Sequence, residues 1–343
     1  MGRFFQGLEK ELAALPADFA PDTVFMGGGT PTALTEGELE ILLGLLRPIM
    51  RRAAVREWTM EVNPGTLTAA KAKLLHSAGI NRVSLGVQTL NDAALRRLGR
   101  IHTSVEARTS FDLLRAAGFD NVSVDLMYAL PGKSSADVLR DIHGLLAWEP
   151  EHISCYALTI EEGTPFAAQC DRGEIVEIQD DAQAEQYEAI CRELTAAGFA
   201  HYEISNFARS GRECLHNLNY WQGGEYYGCG PAAHTHVAGR RRANVEDLDA
   251  YCQRIEPGRS GCDFEEKLAP EAKARETLII ALRLIAGVDL AAFQRQTGFD
   301  VIALGGLALE RLIAQNLLVL CDGRLRLAKE SLFVSNRVFA ELV

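Results

Sequence analysis

WTMEVNP (58–64), LTAAKAKLLHSAG (67–79) and INRVSLGVQ (80–88) read in that order as strand, helix and strand. The two outer runs are β-rich and the middle one is an amphipathic helical stretch. The unit recurs on both sides. TVFMG (23–27) leads into EGELEILLGLLRPIM (36–50), and NVSVDLMYALPG (121–132) leads into SADVLRDIHGLLAW (135–148) and then HISCYAL (152–158). Such alternation predicts parallel strands with helices packed outside them. The repeats are too few for a closed eight-unit barrel, so the expected fold class is α/β with a partial barrel. The pattern also opens abruptly, with a helix from residue 3 and no strand before it.

Past residue 160 the pattern changes. TIEEGTPFAAQ (159–169) precedes a helix over 180–197, and then a segment rich in Tyr, Gly and His, from His201 to His236, reads as loops closing over a site. From Glu266 the helical stretches EKLAPEAKARETLIIALRLI, DLAAFQRQTG and LGGLALERLIAQN lead into VLCDGRLRL, whose Asp-Gly between apolar runs signals a hairpin. Helices followed by a two-stranded wing predict a small C-terminal α+β domain of winged-helix type. The expected division is 1–165, 166–262 and 263–343: the barrel, the region that completes it, and the wing-bearing domain.

With 343 residues, 48% of them hydrophobic and 24% charged, the chain can bury a large core. The longest apolar runs, Thr277 to Ile285 and Leu312 to Leu320, fall short of the roughly 18 to 20 residues a membrane span needs. The N-terminal MGRFFQGLEKELAAL has no apolar core and no small-residue cleavage site of a signal peptide. The expectation is a cytoplasmic protein with no membrane span. Acidic residues outnumber basic ones, 46 to 35, so nucleic acid is not an expected partner. Arg240 to Arg242 reads as a solvated loop, or else as a contact for propionate or phosphate groups. The eight cysteines, at 155, 170, 191, 214, 229, 252, 262 and 321, lack every clustered spacing used for zinc or iron–sulfur ligation.

Gly27-Gly28-Gly29-Thr30-Pro31 directly follows a strand, where successive glycines let a backbone approach a ligand, though such a turn is more often only a turn. Glu61, Gln88 and Asp125 end three successive strands. On one rim they can converge on the ribose hydroxyls, amino group and carboxylate of a single ligand. Arg100 in LGRIHT reads as surface solvation or as a two-pronged grip on a carboxylate. RECLHNLNYWQGGEYYGCGPAAHTH (212–236) gathers His216, Tyr220, Trp221, Tyr226, Tyr227, His234 and His236. One such histidine is more often a packed residue than a ligand, but the segment as a whole suits a planar macrocycle, through axial ligation and ring stacking.

GGGTPTAL, EVNPGTL, SLGVQTLND, LGRIHT, VDLMYALPG, TIEEGTPFA, HYEISNFA and HNLNYW stand in an order that resembles the radical S-adenosylmethionine superfamily. The resemblance is to the branch of HemW-type heme chaperones and oxygen-independent coproporphyrinogen III oxidases, and it runs from residue 3 to the C-terminus. It implies a partial (β/α)6 barrel with a C-terminal accessory domain, binding S-adenosylmethionine against a 4Fe-4S cluster. By the same resemblance Gly28, Gly29 and Thr30 hold the methionine amino end, and Glu61, Gln88, Arg100 and Asp125 contact the rest. RIHT, TIEEGTPFA and HNLNYW look like the chaperone branch. That branch implies heme as cargo, client hemoproteins as partners, an electron donor of unknown identity, and His216 as the first candidate contact with heme. An oxidase that decarboxylates coproporphyrinogen III, and a cluster-free porphyrin-binding remnant, are the alternatives.

Relatives carry a Cys-x3-Cys-x2-Cys loop after a first barrel strand, both ahead of the position of Met1. None of the eight cysteines replaces it by spacing. Either the true start lies upstream or the chain is a degenerate member, and the surviving cofactor-site residues favour the first. A chain without that strand would expose a sheet edge, and the expectation for it is low solubility or stability.

Overall fold

A computed structural model describes residues 1–255 and 259–343. The chain divides into two compact units, one of Thr23–Leu39 with Glu57–Cys214, the other of Met1–Asp22, Glu40–Arg56 and Leu215–Val343. The first half of the chain runs α1 (Gly2–Ala13), β1 (Thr23–Met26), α2 (Glu36–Met50), β2 (Glu57–Val62), α3 (Ala69–Ala78), β3 (Arg82–Gln88), α4 (Asp92–Arg97), α5 (Ser104–Ala117) and β4 (Val122–Tyr128). It continues through α6 (Ser135–Leu146), β5 (His152–Ala157), α7 (Pro165–Asp171), α8 (Asp180–Ala196), β6 (Ala200–Glu203) and β7 (Asn206–Ala208).

The first unit is built on one seven-stranded sheet in the order β1-β2-β3-β4-β5-β7-β6. Strands β1 to β5 are parallel, and β7 and β6 add an antiparallel end. The α/β class and the partial barrel expected from the sequence are present. Local chemistry starts and stops the connecting helices. Thr68 caps α3 by accepting from the Lys71 N–H, and Thr103 with Glu106 and Ser134 with Asp137 form reciprocal capping boxes on α5 and α6. Gly79 and Gly118 close α3 and α5 at φ of 99° and 103°, a conformation that favours glycine.

The second unit adds α9 (Leu215–Trp221), β8 (His234–Val237), β9 (Arg240–Asn244), α10 (Leu248–Ile255), β10 (Cys262–Lys267) and α11 (Pro270–Ala281). After them come β11 (Val288–Asp289), α12 (Leu290–Thr297), α13 (Val301–Ala314), β12 (Leu318–Cys321), β13 (Arg324–Leu327) and α14 (Ser335–Ala340). β10-β9-β8 form one antiparallel sheet and β11-β13-β12 another. The β12–β13 hairpin turns on Asp322 and Gly323, at φ of 51° and 70°, as the Asp-Gly signal requires.

Two expectations are corrected here. Arg240 to Arg242 lie in strand β9, paired with β10, and are not a solvated loop. Arg240 and Arg242 meet Glu265 at 2.7 and 2.9 Å, and Arg241 meets Glu266 at 2.9 Å and also Glu276. The complementary strand DFEEK makes this basic run a cross-strand charge ladder. The segment 201–236 is also more regular than loops, since β7, α9 and most of β6 and β8 fall within it.

One carboxylate ties three parts of the second unit together. Glu11 of α1 accepts from the Gly230 N–H at 2.7 Å, from Asn244 Nδ2 at 2.6 Å and from the Tyr251 hydroxyl at 2.6 Å. Tyr251 is fully buried beside Cys252 and Ile255, with Phe4 packed on that cluster. Glu11→Ala leaves these donors without their acceptor, so thermal unfolding is expected to show a loss of about 2–3 kcal/mol. A melting curve matching the wild type would remove the tie from the account.

Candidate functional site

Strands β2 to β5 alternate polar and apolar side chains. Trp58, Met60, Val83, Leu85, Val124, Leu126 and Ile153 share one face and are all buried. The other face carries Glu57, Thr59 and Glu61, then Arg82 and Ser84, then Ser123 and Asp125, then His152 and Ser154, while Gln88, past the bulge of β3, lays its amide beside Gly86. Register confirms the shared face: Glu61 pairs with Ser84, Ser84 with Ser123, and Asp125 with Ser154. A parallel sheet covered on both sides by apolar layers would read as unbroken hydrophobic runs, so a polar face points to a site.

In the C-terminal halves of the strands this face is only half-buried, at Glu61, Gly86 and Met127 and, midway along β4, at Asp125. Glu61 accepts from the Gly28 N–H at 3.1 Å, which joins the glycine turn to β2. Gly27 makes the approach feasible, because a Cβ there would lie 2.5 Å from the Glu61 carboxyl carbon. Beside Gly28, at φ of 83°, and Gly29 the space is open. Gln88 ends β3 at φ of 71°, where a bulge shifts the β3–β4 register, so its backbone is held in a conformation that costs a non-glycine residue strain.

Ser84 Oγ donates to Asp125 at 3.0 and 3.2 Å. Burial pushes the Asp125 carboxyl above its ordinary 3.8, against hydrogen bonds from Ser84 and Ser154 and the positive fields of Arg82 and Arg100. Burial raises Glu61 as well, opposed by the Gly28 hydrogen bond and reinforced by the charge of Asp125. The fold therefore brings Gly28, Glu61, Asp125 and Arg100 into one electrostatic neighbourhood, with the Gln88 amide beside Gly86 and with Gly29 and Thr30 following Gly28 in its turn.

A carboxyl with a higher pKa folded than unfolded holds more protons in the folded state. Its contribution to stability is then lost as pH rises from the ordinary carboxyl value through the folded one. Asp125→Asn is accordingly expected to raise Tm at about pH 7 and to raise it less at about pH 4. Thermal unfolding at the two pH values checks this, and an equal shift at both would contradict it.

Deeper along the same face lies a polar floor that motif reading missed. Arg82 is 2% exposed and Glu57 4%. His152 bonds Ser123 Oγ through Nδ1 and the Tyr202 hydroxyl through Nε2, each at 2.8 Å. Cys214 donates its N–H to the Tyr202 hydroxyl and its thiol to Glu57. Desolvation alone would lower the Arg82 pKa, but the fields of Cys214, Glu57, Tyr202 and Asp125 hold it above the ordinary value.

In the second unit a cavity of about 470 Å³ is lined by Tyr220, Trp221, Tyr226, His236, Arg241 and Lys273 among others. Arg283 stacks on the Trp221 ring at 4.5 Å. His216 Nε2 lies 2.9 Å from the Tyr220 hydroxyl. From it a run of tilted and edge-on rings passes through Tyr220 and Tyr226 to His236, with centroids 4.9, 4.6 and 5.9 Å apart.

Two family models match the chain: the radical SAM superfamily over residues 6–143 and the HemN C-terminal domain over 268–334. "Heme chaperone HemW" of Bacillus subtilis is 35% identical over 341 residues, covering 98% of this chain and 90% of that protein. This chain belongs to the HemW family. A mouse relative, "Radical S-adenosyl methionine domain-containing protein 1, mitochondrial", is 33% identical over 94% of this chain and 75% of its own length. Among solved structures, coproporphyrinogen III oxidase (HemN) from Escherichia coli, a radical SAM enzyme, superposes with a TM-score of 0.84 over 99% of this chain and 82% of that one. At 20% identity that likeness establishes a shared fold.

Within this HemW-family chain the cysteines are dispersed, and none forms a disulfide. Among the described residues no group of three or more His, Cys, Asp or Glu side chains is placed to hold a metal ion. The residues present therefore do not fit a 4Fe-4S cluster. The glycine turn and the paired carboxylates do fit a small zwitterionic or cationic ligand. Among the described residues no helix is long and apolar enough to cross a membrane.

Proposed function

We propose that this chain is a heme chaperone, which takes heme as cargo and passes it to client hemoproteins, with S-adenosylmethionine bound on the polar face of its parallel sheet. The 35% identity to a HemW heme chaperone over nearly the whole chain carries the reading. Gly28, Gly29 and Thr30 receive the methionine amino end, where the open glycine turn leaves room. Glu61, Gln88, Arg100 and Asp125 hold the remainder. Glu61 and Asp125 present negative charge to an amino group or a sulfonium, and Arg100 offers its guanidinium to a carboxylate. Bound S-adenosylmethionine supplies a sulfonium centre; the chain's own part is to orient it and to exclude water. His216 opens the aromatic run that reaches the second-unit cavity, which supports a part for it in heme binding.

The test offers the chain both candidate compounds. Ferric heme is expected to bind saturably with a Soret band, and coproporphyrinogen III is expected to be returned unchanged. A chain that takes up no heme, yet decarboxylates coproporphyrinogen III with S-adenosylmethionine supplied as the oxidant, would replace this reading by the oxidase.

A further inference from the structure

Of the buried histidines His102, His152 and His236, His102 and His236 each keep one ring nitrogen without a partner, and of those two only His236 lines a described cavity. His152 has both ring nitrogens engaged. His236 is 8% exposed, and its Nε2 is buried without a hydrogen-bond partner. Its other polar ring contact is with the backbone of Gly224. A ring nitrogen donating to a carbonyl leaves the opposite nitrogen as a bare lone pair, the arrangement that metal-binding imidazoles use. An orphaned polar atom in the interior costs stability unless something meets it.

That atom belongs to a residue lining the 470 Å³ cavity. Two-residue alternation places the exposed His234 on the same face of β8, and it too lines the cavity. Trp221, Tyr220 and Tyr226 give flat apolar walls. Arg241 and Lys273 stand at the same cavity, both in contact with Glu276, and Arg241 also with Glu266. The size lies within the range of small-ligand sites, and the cavity offers aromatic faces and cations to one occupant, with the His236 ring in its wall and Nε2 buried behind that surface.

Resting on the reading of the chain as a heme carrier, we propose that this cavity seats the cargo macrocycle and that His236 Nε2 is the ligand to its iron. The ring stacks against the aromatic walls, and its carboxylates lie toward Arg241 and Lys273. His216, with Nε2 on the Tyr220 hydroxyl, is a positioning residue that acts through Tyr220.

The test titrates ferric heme and metal-free protoporphyrin IX into the full chain and into His236→Ala and His216→Ala. His236→Ala is expected to weaken heme binding at least about tenfold and to shift the Soret band. Its affinity for protoporphyrin IX should stay unchanged, and added imidazole should restore the heme band. His216→Ala should cost less. A wild-type heme band and affinity in His236→Ala overturns the assignment. Equal loss of heme and of metal-free porphyrin overturns it too, because it shows packing and not ligation. A wild-type chain that takes up no heme fails at the earlier step and removes the carrier reading itself.

Discussion

Arg82→Ala is expected to lower stability by about 3–5 kcal/mol. Arg82 sits on the polar face at 2% exposure, held among Glu57, Cys214, Tyr202 and Asp125. Truncation takes away the cation and leaves a carboxylate at Glu57 that is 4% exposed. Uncompensated charge in a low-dielectric interior, and not the lost contact area, makes such a change costly. Replacing Arg82 and Glu57 together by leucine is expected to recover much of the loss, since an apolar pair of similar volume removes both desolvation costs. Chemical denaturation of wild type, single and double variants reads the effect. A single variant as stable as the wild type would show that the floor is solvated, contrary to this account.

Gly27→Ala is expected to weaken S-adenosylmethionine binding by about 10- to 100-fold. The new Cβ would stand 2.5 Å from Glu61 Cδ and Oε2 and 2.7 Å from Phe25 Cε1, distances that real side chains do not adopt. The Glu61 carboxylate must then swing away and release the Gly28 N–H that it accepts. Overpacking of this kind also costs about 1–3 kcal/mol of stability. Gly37→Ala serves as the control, because a Cβ there meets nothing within 4 Å. Calorimetric titration of the cofactor into the three proteins reads the difference, and undiminished binding by Gly27→Ala would remove Glu61 from the site.

The strand–helix alternation from Thr23 to Leu158 was legible because β-rich runs and amphipathic helices have different periods, and the Asp322-Gly323 hairpin because few residues take positive φ. Glu61 and Gln88 stand at or near the ends of their strands, as strand reading expects, whereas Asp125 lies midway along β4 and not at its end. Arg82, Glu57 and His152 were missed, although the signal was present: EWTMEV, RVSLGVQ and HISCYA alternate polar with apolar where doubly covered parallel strands would not. Arg240 to Arg242 went unread as a strand because its partner DFEEK lies about twenty positions on, and cross-strand charge pairing is non-local information. The orphaned Nε2 of His236 has no sequence signature, since it depends on which donors and acceptors the fold leaves out of reach.

The central claim is that this chain carries heme for delivery. Its most direct test loads the chain with ferric heme, removes the excess, mixes it with an apo-hemoprotein and follows the Soret spectrum as heme changes hands. The account predicts that the spectrum of the acceptor grows at the expense of the donor's, faster than the acceptor takes up heme from solution at equal concentration. Heme that stays on the chain, or reaches the acceptor no faster than free heme does, would contradict it.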